Sequence, residues 1–510
     1  MKTIFFAIAA TFIAIAAQAQ KNTLLELSFW QNPPDVNAVK AEVEKGNSPS
    51  QLNNMSFDAV VLAINAQAPT ATIKYLLDQP GNDVNKLTHD SRTYLHWAAS
   101  RGNTDVMEYL ISKGAKVDVQ DSHGTTPFTF AANSGQQNTK VYDLFIAHGI
   151  NLKKDVGPDG ANALLLAIAN DKDLTLTNYF IAKGLDLKST DAAGNNVFSY
   201  AAKSGNMDLL KALIQKGVSA NQNSMLMAAQ AGGRRGSGSS ATLAFYQYLE
   251  SLNIKPATTS KSGENVLHYL VRKPNQSDII QYFLTKGVDV NQMDAEGNTV
   301  LINAASSNRD TAVLAMLLPH VKNINQANQK GATALTMAVR SNSPVVVSYL
   351  IGKGALVNVT DHDGNNLAYY LMQSYSSQNG GGGQGDRSGA NNQKTDDFKA
   401  KIKLLQDKGF SVTTPQKNGN TLYHLAVAKN DFSLVKLIQP LGIDINAKNN
   451  EGMTALHKAA MISKDDNLLK YLVSIGAKTN IETNFKETAF DLASENESLT
   501  KNKVSVNFLK

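Results

Sequence analysis

The chain has no cysteine among its 510 residues, which excludes disulfides, thiolate metal sites and thiol nucleophiles. It also lacks a concentrated charge: the formal net charge is +6, spread over the whole length. Nucleic-acid binders need a basic stripe, so this balance argues against a nucleic-acid partner. Beyond the first residues, no stretch is apolar enough to span a bilayer. No H-E-x-x-H pair and no histidines at i, i+4 occur, so zinc has no local support. No G-x-S-x-G elbow occurs either, and no pair of carboxylates stands apart from ordinary surface acids. Asp361-His362-Asp363-Gly364-Asn365 resembles the start of a calcium loop, but Met372 stands where that loop needs its bidentate glutamate. The glycine run at 380–383 is followed by no Lys-Ser/Thr pair and is not a phosphate loop. These absences predict a protein that is not an enzyme, with no cofactor and no metal.

What is present is a period. Glycine closes an apolar helical stretch at Gly46, Gly81, Gly114, Gly149, Gly184, Gly217, Gly287, Gly354, Gly409, Gly442 and Gly476. A residue just past a helix end often needs positive φ, which glycine adopts without steric cost. Asn253 and Val321 stand at two positions where the glycine is replaced. Asparagine tolerates positive φ. Val321 does not, and it follows Pro319 and His320, so that helix is expected to end differently. Upstream of each glycine lies a turn followed by a helix start, as in Asp121-Ser122-His123-Gly124-Thr125-Thr126-Pro127-Phe128. There the threonine reads as a cap and Pro127 as the first helical residue. Paired alanines follow, small enough to let neighbouring helices approach closely.

The N-terminus differs in kind. Lys2, an apolar run over 4–16 and Ala17-Gln18-Ala19 fit a secretory signal peptide cut after Ala19. This predicts a periplasmic or secreted protein, not inserted in a membrane once the signal is removed.

A period of about 33 residues with a turn, two helices and a T-P-L-H-x-A-A core resembles the ankyrin repeat. The best matches are Thr93-Tyr94-Leu95-His96-Trp97-Ala98-Ala99, Thr421-Leu422-Tyr423-His424-Leu425-Ala426 and Thr454-Ala455-Leu456-His457-Lys458-Ala459-Ala460. The resemblance implies an all-α solenoid of stacked helix-turn-helix units with short β-turn fingers. It divides the chain into a signal peptide (1–19), an N-terminal capping repeat (20–52), repeats (53–223) and a degenerate repeat with a Gly/Ser insertion (224–260). Further repeats (261–360), a repeat with a Gly-rich disordered insertion (361–415), more repeats (416–480) and a C-terminal cap and tail (481–510) complete it. Both insertions fall between an inner and an outer helix, on the edge away from the fingers. The resemblance also implies that His96, His268, His424 and His457 are structural and bond turn backbone in neighbouring units.

By the same resemblance, the chain is expected to bind partner proteins along its concave face as a monomeric scaffold. The alternatives are a secreted effector engaging host proteins and an envelope enzyme with an unrecognised site. Finger positions assigned to partner contact are His123, Asn195, Glu296, Asn298, Lys330, His362 and Asp363. Inner-helix positions are Arg101, Asn133, Lys203, Arg272, Lys273 and Arg340. Interface hot spots favour arginine, which makes Arg101, Arg272 and Arg340 the preferred anchors.

Overall fold

A computed structural model of the chain describes residues 21–232, 241–375 and 388–510. The expected signal peptide, most of the Gly/Ser stretch after Gly232 and the glycine run at 380–383 lie outside the described residues. The chain divides into two compact units, residues 1–167 with 182–185 and residues 168–181 with 186–510. Both are built from pairs of antiparallel helices. Among the described residues no strand forms, and the only pairings are isolated bridges such as Met293 with Thr299.

In the first unit the inner helices are Ala59–Asn65, Tyr94–Arg101, Pro127–Asn133 and Ala163–Ala167. One repeat shows why the sequence folds this way. Thr93 caps helix Tyr94–Arg101 in a capping box with His96. The helix buries Leu95, Ala98 and Ala99 completely, and its partner Thr104–Ser112 buries Val106, Met107 and Leu110. Each buried leucine contributes about 1.5–3 kcal/mol of hydrophobic stabilisation, while the alanines set the close spacing to the next inner helix. At the N-terminal edge, two short 3-10 turns (Thr23–Leu25 and Leu27–Trp30) precede helix Val36–Glu44, capped by Asp35. The Trp30 indole N–H donates to the Leu24 carbonyl at 3.0 Å and closes that edge.

In the second unit the inner helices run from Val197–Ala202 through Val300–Ser307 and Ala334–Ser341 to Ala489–Glu495. The two lapses of the glycine period resolve as their residue types dictate. Asn253 takes φ +62°, standing in for glycine. Val321 keeps an extended backbone at φ −83°, because Pro319 converts the end of the helix into the 3-10 turn Leu318–His320. The C-terminal segment holds more than a polar tail. Helix Glu497–Lys501 and the turn Asn507–Leu509 bury Leu499 and Leu509.

Both period-breaking stretches lie between an inner and an outer helix: after Ser224–Gln230 and before Leu243–Ser251, and after Leu367–Ser374 and before Ser388–Asp407. Within the repeat expected to carry a disordered insertion, helix Ser388–Asp407 forms after the stretch. Phe398, Ile402 and Leu405 are buried at helical spacing and anchor that helix.

Candidate functional site

Each finger is a tight turn closed by the carbonyl of its own fifth residue. In residues 121–125 the Asp121 N–H donates to Thr125 O at 2.9 Å, and the Asp121 carboxylate accepts from the His123 and Thr125 N–H groups at 2.9 and 3.0 Å. Burial would raise the Asp121 carboxyl, but these bonds and the Arg92 charge outweigh it and hold it below the usual carboxylate range. Successive fingers are joined through backbone. In the second unit the N–H groups of Gln329, His362 and Asn450 donate to the carbonyls of Glu296, Lys330 and Asn418, each at 3.0 Å.

The four repeated histidines lock helix to finger as the resemblance implies. His96 Nδ1 accepts the Thr93 N–H at 3.1 Å, and Nε2 faces the Thr125 carbonyl of the next finger at 3.1 Å. A ring that accepts at one nitrogen and donates at the other is neutral. Burial accordingly pushes its pKa down to about 4. His268, His424 and His457 repeat the arrangement against Asn298, Met453 and Ile481 carbonyls, and burial lowers each. These rings have no free lone pair for catalysis.

The structure sorts the thirteen sequence-assigned surface residues into two groups. Arg101, His123, Asn133, Arg272, Glu296, Lys330, Arg340, His362 and Asp363 are exposed. Arg101 donates to Asn65 at 3.1 Å, and His123 Nε2 lies 3.3 Å from Asp90. The others are committed internally. Asn195 is buried and bonded to Asp191 at 2.8 Å. Asn298 spans its own Asp294 and the next finger's Asn328. Lys203 lies half-buried with its ammonium 4.5 Å from the Tyr200 ring centre. Lys273 is buried, with its ammonium on the Ala231 carbonyl. The inner helix ends at Leu270, so the chain at Lys273 has already turned inward rather than continuing along the helix face.

Sequence reasoning missed one cluster in the first unit. Arg92 donates to Asp121 at 2.9 Å, lies 3.1 Å from Asp90, and stacks 4.3 Å from the Phe130 ring centre and 5.3 Å from Trp97. Phe57 at the preceding finger and His89 in Arg92's own finger extend the row, and Met55 beside them is 48 % exposed. Trp97 follows the repeat histidine, and that spacing, read in Phe130 one unit later, is the signal that would have found it.

Among the described residues, no group of three or more His, Cys, Asp or Glu side chains is placed to hold a metal, and no helix is long and apolar enough to cross a membrane. Two clefts of about 500 Å³ open to solvent in the second unit. One, lined by Pro344, Val345, Tyr349 and Leu404, lies along outer helices; the other lies by Thr360, Phe410 and Lys417 at the finger edge. Neither gathers converging titratable groups.

Family models agree with this architecture. The family model for ankyrin repeats in three copies matches residues 14–121, 60–156, 260–361 and 423–504, and a single-repeat model matches 193–222. The phosphocholine transferase AnkX of Legionella pneumophila is 26% identical over 253 residues, covering 49% of this chain and 24% of that protein. A palmitoyltransferase of Lachancea kluyveri is 31% identical over 126 residues, covering 24% of this chain and 17% of its own length. The chain thus spans a quarter or less of each of these relatives. Among solved structures, the ankyrin repeat domain of Bcl-3, a member of the IkappaB protein family, aligns with TM-score 0.34 and 20% identity, over 48% of this chain and 100% of that one. With its period, capped helix pairs and finger turns, and with family models matching most of its length, the chain belongs to the ankyrin repeat family.

Proposed function

We infer that this chain is an exported, non-enzymatic scaffold that holds a partner protein across its fingers and inner-helix ends. The observation that carries the reading is the division of labour among its polar groups. The four repeated histidines and the finger-opening aspartates Asp121, Asp294 and Asp361 are spent on backbone, while the arginines Arg272, Arg309 and Arg340 are exposed and make no ion pair among the described residues. Ankyrin repeats serve protein interaction, and free guanidinium groups are favoured interface anchors. Export rests on Lys2, the apolar run and Ala17-Gln18-Ala19, with the periplasm or the medium as destination.

Two measurements test this. N-terminal sequencing of the protein from the extracytoplasmic fraction is expected to start at Gln20; an unprocessed chain in the cytoplasm overturns export. Affinity purification of the full chain under native conditions is expected to recover a stoichiometric protein partner. Turnover of an envelope polymer by the purified chain alone would replace the scaffold with an enzyme.

A further inference from the structure

Within the second unit, the inner helices Val266–Leu270, Val300–Ser307 and Ala334–Ser341 pack side by side. Arg272 and Arg340 occupy the same repeat position, each seven residues past its helix cap (Asn265 to Arg272, Thr333 to Arg340). Arg309 lies between them in sequence, just after the middle inner helix. All three are exposed. Neighbouring acids are already engaged. Asp310 caps the next helix by accepting the Ala312 N–H at 2.9 Å, and Glu264 accepts the Tyr269 and Ser262 hydroxyls. Asp294 and Asp361 are turned into their own fingers. The Lys401 ammonium beside this row is buried against the Val339 carbonyl at 2.9 Å; burial pushes it down to about 8, the Asp397 charge opposes that shift and the Arg309 charge adds to it.

We propose that this arginine row is a docking site for an acidic, extended peptide segment of a partner protein. The inference rests on the scaffold reading and names the partner's chemistry. Packed helices lie about 8–10 Å apart, so Arg272 and Arg340 stand two steps apart, about 16–20 Å. An extended chain advances about 3.3 Å per residue, so carboxylates five or six residues apart reach both guanidinium groups. Each guanidinium presents a planar fork that matches a carboxylate in bidentate geometry, which a lysine row would not do.

The test uses the full chain and a fluorescein-labelled oligoglutamate peptide about ten residues long, enough to span the row, followed by fluorescence anisotropy at low ionic strength. Binding is expected to weaken with added salt. The double reversal Arg272→Glu/Arg340→Glu is expected to reduce affinity at least about tenfold, and Arg272→Gln/Arg340→Gln by less. The reversal Lys216→Glu/Lys408→Glu, at exposed outer-helix ends, makes the same net-charge change and is expected to shift affinity less than about twofold. Thermal unfolding followed by circular dichroism checks that each variant is folded, and the neutral pair stands in should the reversed pair not fold. Equal losses in the two reversed pairs overturn the proposal, since net charge alone would then explain binding. So does an oligothymidylate of equal length that binds as tightly with the same arginine dependence. A native partner retained by the arginine variants sinks the row but leaves the scaffold standing.

Discussion

The two edges of each repeat are held by different chemistry. Along the finger edge, turn is bonded to turn through main chain, with Gln329, His362 and Asn450 N–H groups on the preceding fingers' carbonyls. Along the opposite edge, where inner helix passes to outer helix, side chains do the joining. Asn308 donates to the Val271 carbonyl at 2.9 Å, and Asn342 donates to Ala305 and Asn308 at 2.9 and 2.8 Å. The next equivalent carbonyl, Val339, is taken by Lys401 from an outer helix. Lys273 and Lys429 likewise donate to Ala231 and Tyr375, carbonyls at the ends of the two inner helices after which the period breaks. Backbone bonds fix the spacing of these turns. A side-chain tie can be exchanged, asparagine for lysine, when the sequence between helices lengthens. That difference places both long inter-helix stretches on the second edge.

The largest expected effect breaks the finger edge by acid. The four repeated histidines have folded-state pKa values lowered by burial, so the unfolded chain binds more protons as pH falls below about 6.5, and stability drops. The loss begins near the unfolded value and is complete below the folded one, about 4 for His96. That shift corresponds to about 3 kcal/mol for His96 alone. Urea midpoints measured from pH 7 to pH 4 should fall steeply, and less steeply in His96→Gln. An equal slope in both would mean the His96 bonds do not persist in solution.

Next in size is a methyl group. At Gly331 the φ is +81°, and a Cβ would lie 2.7 Å from His362 N and 2.8 Å from Asp361 Cα in the following finger. Gly331→Ala is expected to cost about 2–3 kcal/mol, with backbone displaced in two fingers. Gly114, at a helix end with φ +91°, has nothing within 4 Å of the same methyl. Gly114→Ala should cost only the conformational part, about 1–2 kcal/mol. Equal costs by urea titration would show that the fingers yield as readily as the helix ends.

Asn342→Ala attacks the other edge. It strands two buried carbonyl partners and is expected to cost about 2 kcal/mol. Asn342→Lys sharpens the comparison, because a lysine tie already serves Val339; it should recover part of the loss in the same titration. No recovery would confine lysine ties to the repeats that already carry them.

Much of this was legible from residue type alone. The Thr126 cap with Pro127, the Asn253 substitution and the altered ending at Val321 each follow from local chemistry, which a single repeat contains, while the histidine locks are what the resemblance to the ankyrin repeat implies. What escaped depends on neighbours. Lys273 and Asn195 sit where helix and finger periodicity points outward, and only the ending of the helix at Leu270 and the Asp191 carboxylate beside Asn195 turn them inward. Arg92's stacking shows only when two successive units are read together, because Trp97 and Phe130 come from different repeats. Residues in contact across repeats are about one period apart in sequence, so no pattern within one repeat reveals them.

The smallest expected effect concerns Lys273, where the two edges' chemistries come closest to balance. Its ammonium satisfies the Ala231 carbonyl, but burial holds its pKa below the usual lysine value. Lys273→Met loses the bond and also removes the desolvated charge, two changes of opposite sign, so at pH 7 the net should stay within about 1 kcal/mol. The pH dependence separates them. With the folded pKa depressed, the unfolded chain binds more protons on the alkaline side, so wild-type stability rises relative to Lys273→Met as pH increases toward the ordinary lysine value. A urea-midpoint difference that grows in favour of wild type with alkalinity fits a buried ammonium. A difference flat with pH would place that ammonium in solvent and leave the carbonyl before the inserted stretch without its tie.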